Sequence, residues 1–247
     1  MKPLLIAALF LPLYPLSAPF NALLARLRLP FARFVLLLAW PQIGVALLAQ
    51  AGTAVPAWLV GWALLSAVLY ALRLLTCRDL GRAAGYLAIS ATALTWGLAA
   101  AAASVESLAL FAFWMSLPSA LMTLLDGMLA RRFGAAYAGL CPGLGGALPR
   151  LSALLVVTVL AAVATPPFPG FFALLGLLGR LGGMAAVVVL LIWLSWAWAA
   201  VRLLQGFVAG TCREDGIDDL RPGVALAWIG VLAVFVGAGF FFTGGGL

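Results

Sequence analysis

Ionisable side chains are scarce enough in this 247-residue chain to be taken one by one. The carboxylates are Asp79, Glu106, Asp126, Glu214, Asp215, Asp218 and Asp219, and all cations but Lys2 are arginines; histidine is absent. Asp126 is the residue best placed for chemistry. It lies near the end of an apolar segment, about one turn before Arg131 and Arg132. An ionisable group at membrane depth is a candidate for moving protons or ions. The competing and favoured reading is an interfacial ion pair with one of those two arginines. Asp79 and Arg82 are three residues apart, a spacing that brings side chains together on a helix. A capping ion pair at a helix start accounts for them equally well. Glu106 falls at a short turn and is expected to be solvated.

Other chemistries find little support. Without histidine the chain lacks the commonest proton shuttle and metal ligand. Cys77, Cys141 and Cys212 are far apart and form no CxxC, so neither a metal site nor a redox disulfide is expected. The sequence contains no phosphate loop and no nucleophile–base pair. No catalytic residue, metal or cofactor is expected.

The second feature is conformational. Thr165-Pro166-Pro167-Phe168-Pro169-Gly170 interrupts an apolar run from about Leu151 to Leu178. About 20 apolar residues suffice to cross a bilayer, but three prolines and a glycine break the helix that would do so. Backbone groups freed at membrane depth need other protein or a wet cavity. Broken helices place polar backbone at the midplane of many transporters.

These residues must be positioned by membrane helices. The chain is 66% hydrophobic and 9% charged, against roughly half and a quarter in soluble domains. Eight apolar segments can be drawn, at about 3–20, 32–50, 55–76, 84–104, 107–130, 150–179, 182–208 and 222–243. The expected fold class is an all-α polytopic membrane protein with about eight transmembrane helices, one broken at Pro166–Gly170. It forms one transmembrane domain, with a hydrophilic loop at 209–221. The first segment mimics a signal peptide, but Pro12 and Pro15 and the membranous chain beyond favour a first membrane helix. Small residues crowd segment four and would let helices approach closely. Trp58, Trp62 and Trp228 read as interface anchors, and Trp193, Trp196 and Trp198 as packing residues.

If the eight segments alternate, one side receives twelve arginines and the other only Lys2 and Arg180. The positive-inside rule puts the crowded side in the cytoplasm. Both termini then face the periplasm of a bacterial inner membrane. The net charge of +7 is explained by topology, and no nucleic acid is expected as a partner.

Leu75-Thr-Cys-Arg-Asp79-Leu-Gly81-Arg82-Ala-Ala-Gly-Tyr86-Leu-Ala-Ile-Ser90 resembles a T-D-x-K-R-x-x-A-Y-S-S-x-S-H pattern. That pattern marks the antiporter-like membrane subunits of respiratory complex I and of Mrp-type cation/proton antiporters. Asp79, Arg82, Tyr86 and Ser90 keep its register. Gly127-Met-Leu129-Ala-Arg-Arg132 is similar to a G-x-L-x-x-R at the end of a later family helix. Leu148-Pro149 to Phe171 is similar to the family's L-P followed by the broken helix P-P-x-P-G-F. The resemblance implies a fourteen-helix plan built on two inverted five-helix repeats. This chain would correspond to helices seven to fourteen, with about 55–208 forming one repeat.

The resemblance also implies a charged relay in those members that move protons, and here the sequence departs. The relay's lysines would fall near Ala39 or Trp40 and at Gly81. Its histidine would fall near Met115, and the charge after the G-F at Leu174. The leading expectation is therefore an accessory or structural subunit, unable to pump protons itself. It would sit in a complex I-like, Mrp-like or bicarbonate-accumulating assembly, with partners that include a full-length antiporter-like subunit and the lipid bilayer. The alternative is a split or oligomeric transporter using Asp126, Asp79 and the broken helix. An enzyme finds support only through membership of a complex with a catalytic partner, such as a proton-translocating oxidoreductase.

Overall fold

The structure is a computed structural model describing residues 2–52, 54–140, 142–210 and 218–243, so Cys141, Cys212, Glu214 and Asp215 lie outside the described residues. The described elements are helices: α1 (Lys2–Phe10), α2 (Ala18–Arg26), α3 (Pro30–Ala51), α4 (Ala57–Thr76), α5 (Leu80–Ala93), α6 (Thr95–Ala100), α7 (Val105–Phe133), α8 (Leu144–Ala147), α9 (Pro149–Ala162), α10 (Pro169–Arg180), α11 (Gly183–Val208) and α12 (Pro222–Thr243).

Six of the apolar stretches are long enough to cross a membrane: α3, α4, the α5–α6 pair, α7, α11 and α12. The other two crossings are made in halves, by α1 with α2 and by α9 with α10. The sequence led us to expect one broken segment, with 3–20 counted as a first membrane helix despite Pro12 and Pro15 interrupting its run. Instead the chain leaves the helix after Phe10 and resumes at Ala18, extending to Arg26. Pro12 and Pro15 each remove a backbone donor, which makes a continuous helix costly.

Local chemistry sets the ends. Proline opens α3, α9 and α10 within the first helical turn, where its missing N–H costs nothing. Gly52 and Gly134 close α3 and α7 in the left-handed conformation, at φ 57° and 78°, which a side chain would strain. Ser104 caps α7 by accepting from the Ser107 N–H at 3.2 Å. Glu106 is exposed in the first turn of α7, where a carboxylate favours the helix dipole.

The long α7 is the hub. It packs against α3, α5, α9 and α10, while α4 and α11 close the far side of α5 and α9, and α12 lies on α9 and α10. Within the α5–α6 span 83% of residues are buried, against 28% in α3, α11 and α12. The small side chains of α5 allow this, since Ala83, Ala84, Ala88 and Ala91 let neighbouring backbones approach. The outer helices turn large apolar side chains outward, including Leu190, Leu191, Leu194 and Trp198 on α11 and Leu226, Ile229 and Val234 on α12. Patches of that extent suit lipid and not water.

The arginine-bearing ends gather on one face. Backbone bonds stitch it together: Leu80 N–H donates to Ala136 C=O at 3.0 Å, Ala138 N–H to Arg78 C=O at 2.8 Å, Gly139 N–H to Gly206 C=O at 2.8 Å, and Gly143 N–H to Ala209 C=O at 3.1 Å. Arg202 adds a side-chain bond from Nη1 to Leu75 C=O at 2.5 Å. The α4–α5 junction, the segment after α7 and the end of α11 are therefore tied together.

Candidate functional site

At that face, Asp126 projects from α7 into the contact with α3 and α5. Its Oδ2 accepts from Arg33 Nη1 at 2.9 Å, and their side chains are 12% and 24% exposed. Arg33 is held in place by a second bond, from Nε to Leu27 C=O at 2.7 Å. No other ion pair occurs among the described residues. The partner is thus Arg33, 93 residues away in sequence, and not Arg131 or Arg132. Helix geometry explains the correction. Residues five and six positions on lie about 140° and 120° away around the helix, whereas facing partners are three or four apart. Arg132 instead donates from Nη1 to Met128 C=O at 3.1 Å and from Nε to Asp218 C=O at 3.3 Å.

Gly81 makes room for this pair. A Cβ there would stand 2.8 Å from Asp126 Oδ2 and 3.1 Å from Arg33 Nη1. The position that the family resemblance assigns to a lysine is therefore filled by a guanidinium arriving from another helix. Gly127, the residue after Asp126 on α7, is likewise covered by the Pro30 ring, which a Cβ would overlap. A cavity of about 380 Å³ opens beside the pair, bordered by Asn21, Arg33, Asp79, Arg82 and Tyr86.

Asp79 faces the same cavity but serves the backbone. Its Oδ1 accepts from the Arg82 N–H at 2.7 Å, capping α5. The Asp79–Arg82 contact is therefore a cap to an amide and not a side-chain ion pair. Asp79→Ala is expected to cost about 1 kcal/mol, as other N-cap losses do. Urea or SDS unfolding in detergent would measure it. Next to the cap, Cys77 donates to Asp79 C=O at 3.4 Å. Burial pushes its thiol pKa up, which disfavours the thiolate that redox or nucleophilic chemistry needs.

The second broken crossing is closed by protein. Helix α9 ends at Ala162, and α10 begins at Pro169. The interruption covers residues 163–168, so Thr165, Pro166 and Pro167 are in the break while Pro169 and Gly170 open the next helix. Ala164 sits in the left-handed region at φ 55°, a conformation that costs a non-glycine residue of order 1 kcal/mol. The freed carbonyls find donors. Leu160 C=O accepts from both Thr165 N–H, at 3.2 Å, and Thr165 Oγ1, at 3.0 Å. Val163 C=O accepts from Trp193 Nε1 of α11 at 2.9 Å. On the other side Gly239 of α12 lies so close that a Cβ would collide with Pro167 C=O.

The surroundings of this break are apolar. Met115 and Leu174 are 2% and 0% exposed, and the Met115 Cε is 3.8 Å from where a Gly170 Cβ would be. Phe168 stacks on Phe235, with centroids 5.7 Å apart. The residues standing where the resemblance places a histidine and a charge are packing elements here.

The first broken crossing, between α1 and α2, is closed by the same device. Trp40 Nε1 donates to Leu9 C=O at 3.1 Å, Trp96 Nε1 to Leu11 C=O at 3.2 Å, and Trp62 Nε1 to Tyr14 C=O at 2.5 Å. Ser66 Oγ accepts from Tyr14 N–H at 3.0 Å. Beyond the break, Tyr70 OH bonds Ser17 Oγ at 2.6 Å and accepts from Asn21 Nδ2 at 2.8 Å. The Arg73 guanidinium lies over the rings of both Tyr14 and Tyr70, at 5.4 and 5.1 Å. Trp196 packs in the core as expected, 0% exposed, while other tryptophans take further or different roles. Trp62 and Trp193 are donors to broken backbone, and Trp196 donates to Ser90 Oγ at 2.9 Å. Trp228 is buried, while Trp198 faces outward, 64% exposed. Trp58 remains exposed at the start of α4. Trp40, near which the resemblance places a lysine, instead closes a break, and its neighbour Ala39 is exposed.

The same all-helical membrane fold occurs in membrane chains of solved respiratory and Mrp complexes, matched over about half of their length. Solved structures with this fold include a chain of respiratory complex I from Thermus thermophilus with bound NADH. It has a TM-score of 0.78 and 23% identity, over 97% of this chain and 54% of that one. A chain of the Mrp complex from Dietzia sp. DQ12-45-1b superposes with a TM-score of 0.75 and 14% identity, over 97% and 55%. A chain of the membrane-bound sulfane sulfur reductase, an archaeal respiratory membrane complex, does so with 0.75 and 17%, over 96% and 51%. The chain therefore spans about half the length of each of these three chains. No protein-family profile matches the sequence, and no curated protein matches it.

Proposed function

We propose that this chain is an accessory membrane subunit of a larger ion- or electron-coupled complex, holding neighbouring subunits in place without pumping protons itself. One observation carries the reading. In both broken crossings, where a transporter of this fold would expose backbone to ions or water, indole N–H groups donate to freed carbonyls, and the second is lined by apolar side chains. A proton path needs ionisable groups or ordered water in sequence, and the residues beside the second break are Met115 and Leu174. The outward faces of α11 and α12 offer the apolar surface that membrane neighbours would cover. A full-length antiporter-like subunit is the neighbour we expect. We place the arginine-rich face in the cytoplasm of a bacterial inner membrane and both termini on the opposite side.

Purification of the tagged chain in mild detergent tests this. The expected outcome is stoichiometric recovery of other membrane subunits, and loss of the whole complex when the chain is deleted. Recovery of the chain alone, active in ion flux after reconstitution, would sink the proposal.

One observation favours a second reading, a split or oligomeric transporter. Ser116, Ser119, Thr123 and Asp126 are all buried and share one face of α7. Most of this ladder is already engaged. Ser116 Oγ donates to Ala112 C=O and Thr123 Oγ1 to Ala120 C=O, while Ser119 Oγ has no partner. If the ladder conducts, Ser119→Ala will reduce ion flux with the complex intact; in the accessory reading flux per assembled complex is unchanged.

A further inference from the structure

Two cavities meet at Arg150, and their chemistries complement each other. The first, of about 540 Å³, lies on the arginine-rich face and is bordered by Arg131, Arg132, Arg150 and Arg221 together with Asp218 and Asp219. The second, of about 650 Å³, is an apolar groove running from Pro149 and Arg150 down between α9 and α12, past Val157, Ile229 and Ala233 to Val236.

Among the described residues, the charges bordering the first cavity are not balanced. Asp219 is committed to the start of α9: Oδ2 accepts from Arg150 N–H at 2.8 Å, and Oδ1 from Leu151 N–H at 3.2 Å. Arg150 Nη1 is held by Leu220 C=O at 2.9 Å, and Arg132 by Met128 and Asp218 carbonyls. The guanidinium groups of Arg131 and Arg221 form no ion pair with a described acidic residue. Four guanidiniums thus face two carboxylates, one of them already used as a helix cap.

The depth of the groove decides what fits below. From Ala225 to Val236 is eleven residues, about 17 Å along the α12 axis at 1.5 Å per residue. Half of a hydrocarbon core of roughly 30 Å is about 15 Å. The groove is therefore one leaflet deep, the length for an acyl chain and half that for a spanning helix. Basic pockets between membrane helices on the cytoplasmic side are suited to anionic headgroups.

We propose that an anionic glycerophospholipid binds here, its phosphate against Arg131 and Arg221 and one acyl chain in the α9–α12 groove. The lipid fills the outer face of the second broken crossing and ties α12 to α9 at the membrane surface. This site does not depend on whether the chain transports ions.

The test is lipid binding to the complex purified from its native membrane, delipidated in detergent and titrated with phosphatidylglycerol or phosphatidylcholine under native mass spectrometry. Phosphatidylglycerol is expected to bind and phosphatidylcholine not. Arg131→Gln/Arg221→Gln should weaken phosphatidylglycerol binding about thirtyfold, two arginines at about a fivefold each. Arg131→Lys/Arg221→Lys should retain it within about threefold. Ala233→Trp, which blocks the groove away from the arginines, should also abolish lipid binding. Should the glutamine variant fail to fold, the lysine and Ala233→Trp variants decide alone. Equal binding of phosphatidylcholine overturns the proposal, as does full phosphatidylglycerol binding by the glutamine variant. Displacement by inorganic phosphate with no effect of Ala233→Trp would mean a free-anion site and overturn it. So would a crosslink from position 233 to a partner helix in place of lipid.

Discussion

Asp126→Ala is expected to destabilise the chain by about 2–4 kcal/mol, measured by urea or SDS unfolding of the purified complex. Removing one partner of a buried ion pair costs about 3–5 kcal/mol, because the other charge is left without compensation. Arg33 retains some exposure, 24% of its side chain, and keeps its bond to Leu27 C=O. Solvent screening therefore trims the cost. Asp126→Asn should cost less, since an amide oxygen can still accept from Nη1. Replacing both residues, as Arg33→Met/Asp126→Met, should recover much of the loss, and the double-mutant cycle should give a coupling of about 1–3 kcal/mol. The functional readout is separate. With the pair structural, ion flux per assembled complex is unchanged in Asp126→Asn. A collapse of flux in intact complexes would instead make Asp126 part of an ion path and refute the accessory reading.

The Arg33–Asp126 pair also marks a limit of what the sequence discloses. The all-helical membrane fold, its six long spans and the second break could be read from apolar run lengths and proline positions. These are properties of a single segment. The partner of Asp126 is a property of three-dimensional packing. Two arginines stood close by in sequence, but on the wrong faces of α7, and the residue that pairs comes from the start of α3. Only the helical spacing could have warned against the nearer arginines. The same holds for Gly81. As a sequence feature it is a missing lysine, and in the fold it is the gap that admits the Arg33 guanidinium. The first break was visible as Pro12 and Pro15, yet an apolar run with a charged start looked like one ordinary helix. Its second half, with Asn21 and Arg26, was too polar to be counted as membranous, and finds its polar partner in Tyr70.

The tryptophans carry the other large effect. Trp193→Phe removes the donor to Val163 C=O in the second break, and Trp96→Phe removes the donor to Leu11 C=O in the first. Leaving a buried acceptor unpaired costs about 1–3 kcal/mol, and the smaller ring at fully buried position 96 leaves a void besides. The two sites serve different crossings, so the double variant should lose about the sum, 2–6 kcal/mol. Trp198→Phe is the matched control. It is 64% exposed on the outer face of α11, and should change stability by under about 0.5 kcal/mol. Thermal unfolding in detergent followed by circular dichroism would compare all three. The comparison also reports on water. In a hydrated break a water molecule would take the place of the lost indole, and Trp193→Phe would be nearly neutral. A cost near the upper end means that the break is dry and that its carbonyls depend on protein donors. A dry break cannot pass protons, so that outcome would support the accessory reading whatever complex the chain belongs to.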